Sequence, residues 1–202
     1  MLYHLQKVFS RRSTFLLNAF LESSAELLAD SQNQKARILA EMCVLRIHDE
    51  WCRFCRELII VSAMGLGRTA SGHRVPRASG MYNIQCVQAA FKRGRPNWKF
   101  EPSWAVTNDC LKAAQKLGIT NFNTIAASLG AQNSHADDLR VVRNFFAHRN
   151  KSTALQIQSK PWCNAALPLN VESLLLRLAT GGVFEFEKWV GNVKLISELA
   201  IQ

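Results

Sequence analysis

The sequence predicts an all-α fold, a helical bundle with a long basic loop inserted in it. Three observations lead there. Apolar residues recur at three- and four-residue spacings over two long stretches, 3–29 and 34–64. Helix stops and caps punctuate the rest of the chain. Strand-like alternation occurs only over 183–187, alone.

In the first stretch Leu5, Val8, Phe9, Leu16, Phe20 and Leu27 mark the apolar side, and 30–33 breaks the pattern. The basic start (Lys7, Arg11, Arg12) with no acid before Glu22 imitates a targeting peptide. Its apolar stretch is short and runs on into an amphipathic pattern, so it reads as the first helix. In the second stretch Leu39, Cys43, Ile47, Phe54, Leu58 and Val61 form the stripe, with Arg37, Asp49, Arg53 and Glu57 off it. Gly65 and Gly67 end it.

Residues 65–103 are rich in Gly, Pro, Ser and Arg and read as a loop, with a short helix over 82–92. Helices follow over 104–117 and 121–129, stopped by Gly118 and Gly130. Ser134 reads as an N-cap with Asp137 three residues on. Leu139, Val142 and Phe146 are the buried stripe of the helix that follows. Asn170 caps another helix carrying Leu174, Leu175 and Leu178. Gly181 and Gly182 separate it from a last helix with Phe186, Trp189, Val193, Ile196 and Leu199. The chain of 202 residues reads as one domain over 1–202, long enough to bury a core without staples.

Hydrophobic residues are 48% of the chain and charged residues 20%, which excludes a disordered chain. No run approaches the roughly 20 apolar residues of a membrane span. The six cysteines (43, 52, 55, 86, 110 and 163) are irregularly spaced, as expected of reduced thiols in a cytoplasmic protein. The net charge is +10, which implies an acidic partner. Residues 65–103 hold seven basic side chains and one acid, so more than half of that excess sits in under a fifth of the chain.

Two motifs have plain accounts. Gly65-Leu66-Gly67 after an apolar run imitates a dinucleotide fingerprint, but that mechanism needs a strand before and a helix after. A helix stop is the better account. His48, Cys52 and Cys55 fall at i, i+4 and i+7 of one helix, but a structural zinc wants four ligands and no second pair exists. Buried apolar thiols are the better account, so neither a metal nor a cofactor is expected.

The informative stretch is 138–150, in which Arg143 is followed by Asn144 and, after four intervening residues, by His148. With fifteen arginines, spacing alone yields about one such match by chance, and a second does occur at Arg68 and His73 in the Gly-rich loop. Context separates them: the Arg143 match lies on an amphipathic helix with Asn directly after the Arg. It resembles the HEPN superfamily, small helical bundles with an Arg-x4-6-His signature late in the chain. About eight residues carry the specific match, and the order of helices extends the resemblance over most of the chain.

That resemblance implies a metal-independent endoribonuclease of the bacterial toxin or anti-phage type. It implies a two-fold homodimer facing both motifs into one cleft, with Arg143 on phosphate charge, His148 as acid or base and Asn144 positioning. It also implies a polar or acidic helper on the preceding long helix, for which Glu50, Arg53 and Glu57 are candidates. Toxins of this kind paired with nucleotidyltransferase antitoxins usually carry Tyr two residues after the motif His. Here that residue is Asn150, so another antitoxin or sensor protein would restrain the chain.

The residue types suit this chemistry independently. Arg grips phosphate oxygens with paired hydrogen bonds and His moves protons near neutral pH. Attack by a ribose 2′-OH on its own phosphate gives a 2′,3′-cyclic phosphate and cannot act on DNA. The other readings are a solvated Arg143 with His148 at a helix end, a HEPN-like module that binds RNA or a nucleotide without cutting, and a helical subunit that docks on an acidic partner. The run Lys92, Arg93, Arg95, Trp98, Lys99 interleaves cations with aromatics and is a candidate RNA contact, or equally a solvated loop whose Trp98 plugs the core.

Overall fold

Long stretches of three- and four-residue periodicity give long helices. In the computed structural model they are α1 (Leu2–Ala29) and α2 (Gln34–Ala63). The structure describes residues 1–92, 101–131, 133–164, 166–179 and 181–202. Among these residues all regular structure is helical: α3 (Ile84–Lys92), α4 (Thr107–Leu117), α5 (Phe122–Ala131), α6 (Asn133–His148), α7 (Lys151–Gln158), α8 (Val171–Leu174) and α9 (Glu185–Leu199) follow. The alternation at 183–187 amounts to a lone bridge between Leu178 and Phe184.

The described chain divides into two compact units. The first comprises Met1–Ser10, Trp51–Asn133 and Lys194–Gln202. Its core joins Phe9, Trp51 and Phe54, with ring centroids 5.1–5.9 Å apart, to buried Leu58, Ile59, Cys110 and Ile125. Arg56 donates to Glu101 at 2.5 and 2.6 Å and fixes the segment that leads into α4. Residues 65–83 are anchored turns rather than slack loop, with Val75, Ala78 and Met81 buried. Gly65 is obligatory there: its φ is +66°, and a Cβ would lie 2.6 Å from the backbone nitrogen of Arg77.

The second unit comprises Arg11–Glu50 and Ser134–Val193. Its core takes Phe20 and Leu27 from α1, Cys43, Val44 and Ile47 from α2, and Phe186 and Trp189 from α9. Leu139, Val142 and Phe146 of α6 join them, as the periodicity predicts. An ion pair of 2.6 Å between Arg37 and Glu172 ties α2 to α8.

Several local expectations are corrected. Leu39 is exposed, and Ala36 and Ala40 occupy the core side of α2 instead. Ser134 lies inside α6, which begins at Asn133, and Asp137 binds Arg140 and Lys160 rather than a cap. Asn170 does cap a helix, with a reciprocal bond pair to Ser173, but α8 is only four residues long. A further helix that the periodicity does not predict starts just after His148, because Asn150 and Thr153 form the capping box of α7.

Candidate functional site

Burial of Leu139, Val142 and Phe146 fixes the rotation of α6 and leaves Arg140, Arg143, Asn144 and His148 outside its apolar stripe. Arg143 and Asn144 are half-buried and His148 is exposed. Asn144 and His148 are one turn apart and share a face. Arg143 stands about 7.5 Å along the axis and about 140° around it from His148. The Arg143 guanidinium donates to the side-chain Oδ1 of its neighbour Asn144 at 3.4 Å. Its Nε is buried and has no hydrogen-bond partner among the described residues. A buried guanidinium nitrogen without an acceptor is costly, and an acceptor oxygen brought to it would offset that cost.

Those surroundings include a residue that the sequence reading placed elsewhere. His48 of α2 is 5% exposed. Burial, then the positive charge of Arg143, pushes its imidazole down to about 4, with Arg140 adding to the fall and Asp49 opposing it. His48 is therefore neutral at neutral pH and packs in the field of the motif arginine. Its spacing from Cys52 and Cys55 is that of a helix face. Among the described residues no three His, Cys, Asp or Glu side chains converge to hold a metal. The order of the sequence offered no signal for a pairing of residues 95 positions apart.

The other half of α6 is a charge network. Arg140 donates to Asp137 at 2.9 and 2.5 Å, and Lys160 reaches Asp137 at 2.6 Å and Asp138 at 3.0 Å. Burial would raise the Asp137 carboxyl, but the hydrogen bonds from Lys160 and Arg140 outweigh it and hold the group below the usual range. Burial would likewise lower Lys160, and its bonds to Asp137 and Asp138 raise it.

The end that carries His148 is unusual. Arg149 adopts φ +44°, the sole left-handed residue other than glycine among the described residues. Its N–H closes the last turn on the Phe145 carbonyl at 2.7 Å, and its guanidinium pairs with Glu41 of α2. His148 is thus fixed between this reversal and the Asn150 cap of α7. Of the acids on α2, Glu41 is the one tied to the motif segment. Glu50 is held by Arg12 at 2.9 and 3.2 Å, whereas Arg53 and Glu57 belong to the first unit, where Glu57 pairs with Arg56 at 2.6 Å.

Lys92 ends α3, and its side chain lies outside the described residues together with Arg93, Arg95, Trp98 and Lys99. The second match is absorbed locally: Arg68 donates to the Gly72 carbonyl at 3.0 Å, and His73 meets Ser71 at 3.0 Å. Gly65 and Gly67 follow a helix, so the dinucleotide fingerprint has no strand before it. No described helix is long and apolar enough to cross a membrane. Comparison with protein families, with curated proteins and with solved structures finds no match to this chain.

Proposed function

We propose that the chain is a metal-independent endoribonuclease, a HEPN-like toxin or anti-phage effector that works in the cytoplasm as a homodimer. The observation that carries this reading is the exposed imidazole of His148, one turn beyond an Asn144 whose amide meets the half-buried Arg143. Arg143 supplies the fixed cation that a phosphorane-like transition state needs. His148 moves the proton: as base it takes the 2′-OH proton while the oxygen attacks phosphorus, and as acid it protonates the departing 5′ oxygen. One imidazole cannot do both in the same step, so a second copy provides the other. The products are a 2′,3′-cyclic phosphate and a 5′-OH. The charge of +10, more than half of it over 65–103, draws the RNA. A sensor or antitoxin then restrains the enzyme.

A second reading is favoured by one observation. The buried Nε of Arg143 turns toward the protein rather than solvent, which suits a HEPN-like module that holds RNA or a nucleotide without cutting it. Purified protein incubated with a mixed RNA pool in excess EDTA decides between them. Cleavage that leaves cyclic phosphate ends, and that is lost in both His148→Ala and Arg143→Ala, supports the nuclease. Binding without cleavage in all three proteins supports the module.

A further inference from the structure

The second unit carries a groove of about 500 Å³ between α1 and α2 that none of the motifs uses, lined by Arg11, Arg12, Phe15, Leu16, Arg46 and Glu50. That volume lies within the range of small-ligand sites. Its chemistry is mixed in a particular way. Phe15 is 72% exposed. Among the described residues the other strongly exposed aromatic rings are covered by cations: Tyr82 lies under Arg77 at 4.4 Å and Tyr3 under Lys7 at 5.1 Å. Phe15 has no such cover and no ring neighbour among the described residues. Arg11 lies one turn before Phe15, and Arg46 one turn before Glu50. Both arginines are exposed and have no hydrogen bond or ion pair among the described residues. Arg12 is already oriented by Glu50 at 2.9 and 3.2 Å, and Leu16 contributes apolar surface.

From this geometry we infer that the groove binds one unpaired nucleotide of an RNA strand, the base stacked on Phe15 and the flanking phosphates on Arg11 and Arg46. This inference rests on the proposed action on RNA and adds a contact outside the Arg143–His148 motif. Two positive charges remain after Glu50 is set against the three arginines, which suits phosphates. The bare ring needs a flat partner. An acidic peptide offers carboxylates without one, and a duplex keeps its base faces stacked.

The test is fluorescence anisotropy of a labelled single-stranded 2′-O-methyl RNA, which the proposed chemistry cannot cut. Phe15→Ala weakens binding by about five- to one-hundred-and-fifty-fold, the range for loss of one base–aromatic stack. Arg11→Ala with Arg46→Ala weakens every sequence alike and makes the salt slope shallower by about 1.4. Poly-glutamate does not compete. All three positions are exposed, so the variants keep the fold, and circular dichroism confirms it. If the wild type binds and the variants match it in affinity and slope, the groove is overturned while action on RNA stands. If poly-glutamate competes and Phe15→Ala is silent, the surface takes acidic peptides instead. If the wild type binds no RNA, the groove and the RNA reading fall together.

Discussion

Helices α4 and α6 are each followed by a residue of positive φ, reached by different means. After α4, Gly118 takes φ +63° and its N–H meets the carbonyls of Ala114 and Gln115. Glycine adopts that conformation without penalty. After α6, Arg149 does the same work at φ +44° as an L-residue with a side chain, which costs about 1–2 kcal/mol. Its ion pair with Glu41 and the Asn150 cap beyond it are what hold the turn. The helices differ along their length as well. Cys110, Ala113, Ala114 and Leu117 bury α4 through small apolar groups, whereas α6 adds to its apolar stripe Arg143, whose charge reaches His48 of α2, and a four-charge network. The helix that bears the candidate chemistry is thus the one held by polar contacts and a strained end.

Acid sharpens the comparison most. The folded His48 pKa lies at about 4, below the ordinary 6.5, so the unfolded chain takes up the proton first. Its contribution is present above pH 6.5 and is lost as the pH falls from there to about 4, on the order of 3 kcal/mol. Asp137 adds to the loss at still lower pH, because its pKa is depressed too. Amide-exchange protection of α6 should fall over that interval while α4 is little changed, and His48→Leu should flatten the trend. Equal losses in both helices would break the distinction.

A smaller effect comes from exchanging the two ends. Gly118→Ala should lower stability by about 1–2 kcal/mol in urea unfolding. Arg149→Gly relieves backbone strain but forfeits an exposed ion pair worth under about 1 kcal/mol, so it should leave stability unchanged or slightly higher. A loss above about 1 kcal/mol in Arg149→Gly would show that Glu41 matters more than the strain. Smallest of all, Glu41→Gln should cost less than about 1 kcal/mol, read as a shift in melting temperature of a few degrees.

The long helices were legible because their apolar spacing persists for many turns, and Leu139, Val142 and Phe146 are buried where that spacing put them. Asn170 was legible as a cap because the signal is local. Leu39 misled because near the start of α2 the small side chains Ala36 and Ala40 take the core side, and Leu39 lies off it. α7 was hidden because Arg149-Asn150-Lys151 has the composition of a stop, and only the reciprocal bonds of Asn150 and Thr153 make it a start. Arg143 and His148 are candidates on local spacing and on the Asn that follows Arg143. The effect of the Arg143 charge on His48 and the ion pair of Arg149 with Glu41 are tertiary, and no local pattern encodes them. No local pattern marks the groove at Phe15 for the same reason, since its arginines come from two helices.

On the proposed ribonuclease reading, the end of α6 serves chemistry rather than stability. RNA cleavage in excess EDTA by His148→Ala and Arg149→Gly, each beside its thermal unfolding, tests it most directly. The account predicts that His148→Ala unfolds like the wild type and loses at least about a hundred-fold in cleavage rate, while Arg149→Gly cuts at a rate near that of the wild type. Wild-type cleavage that survives His148→Ala undiminished would contradict it.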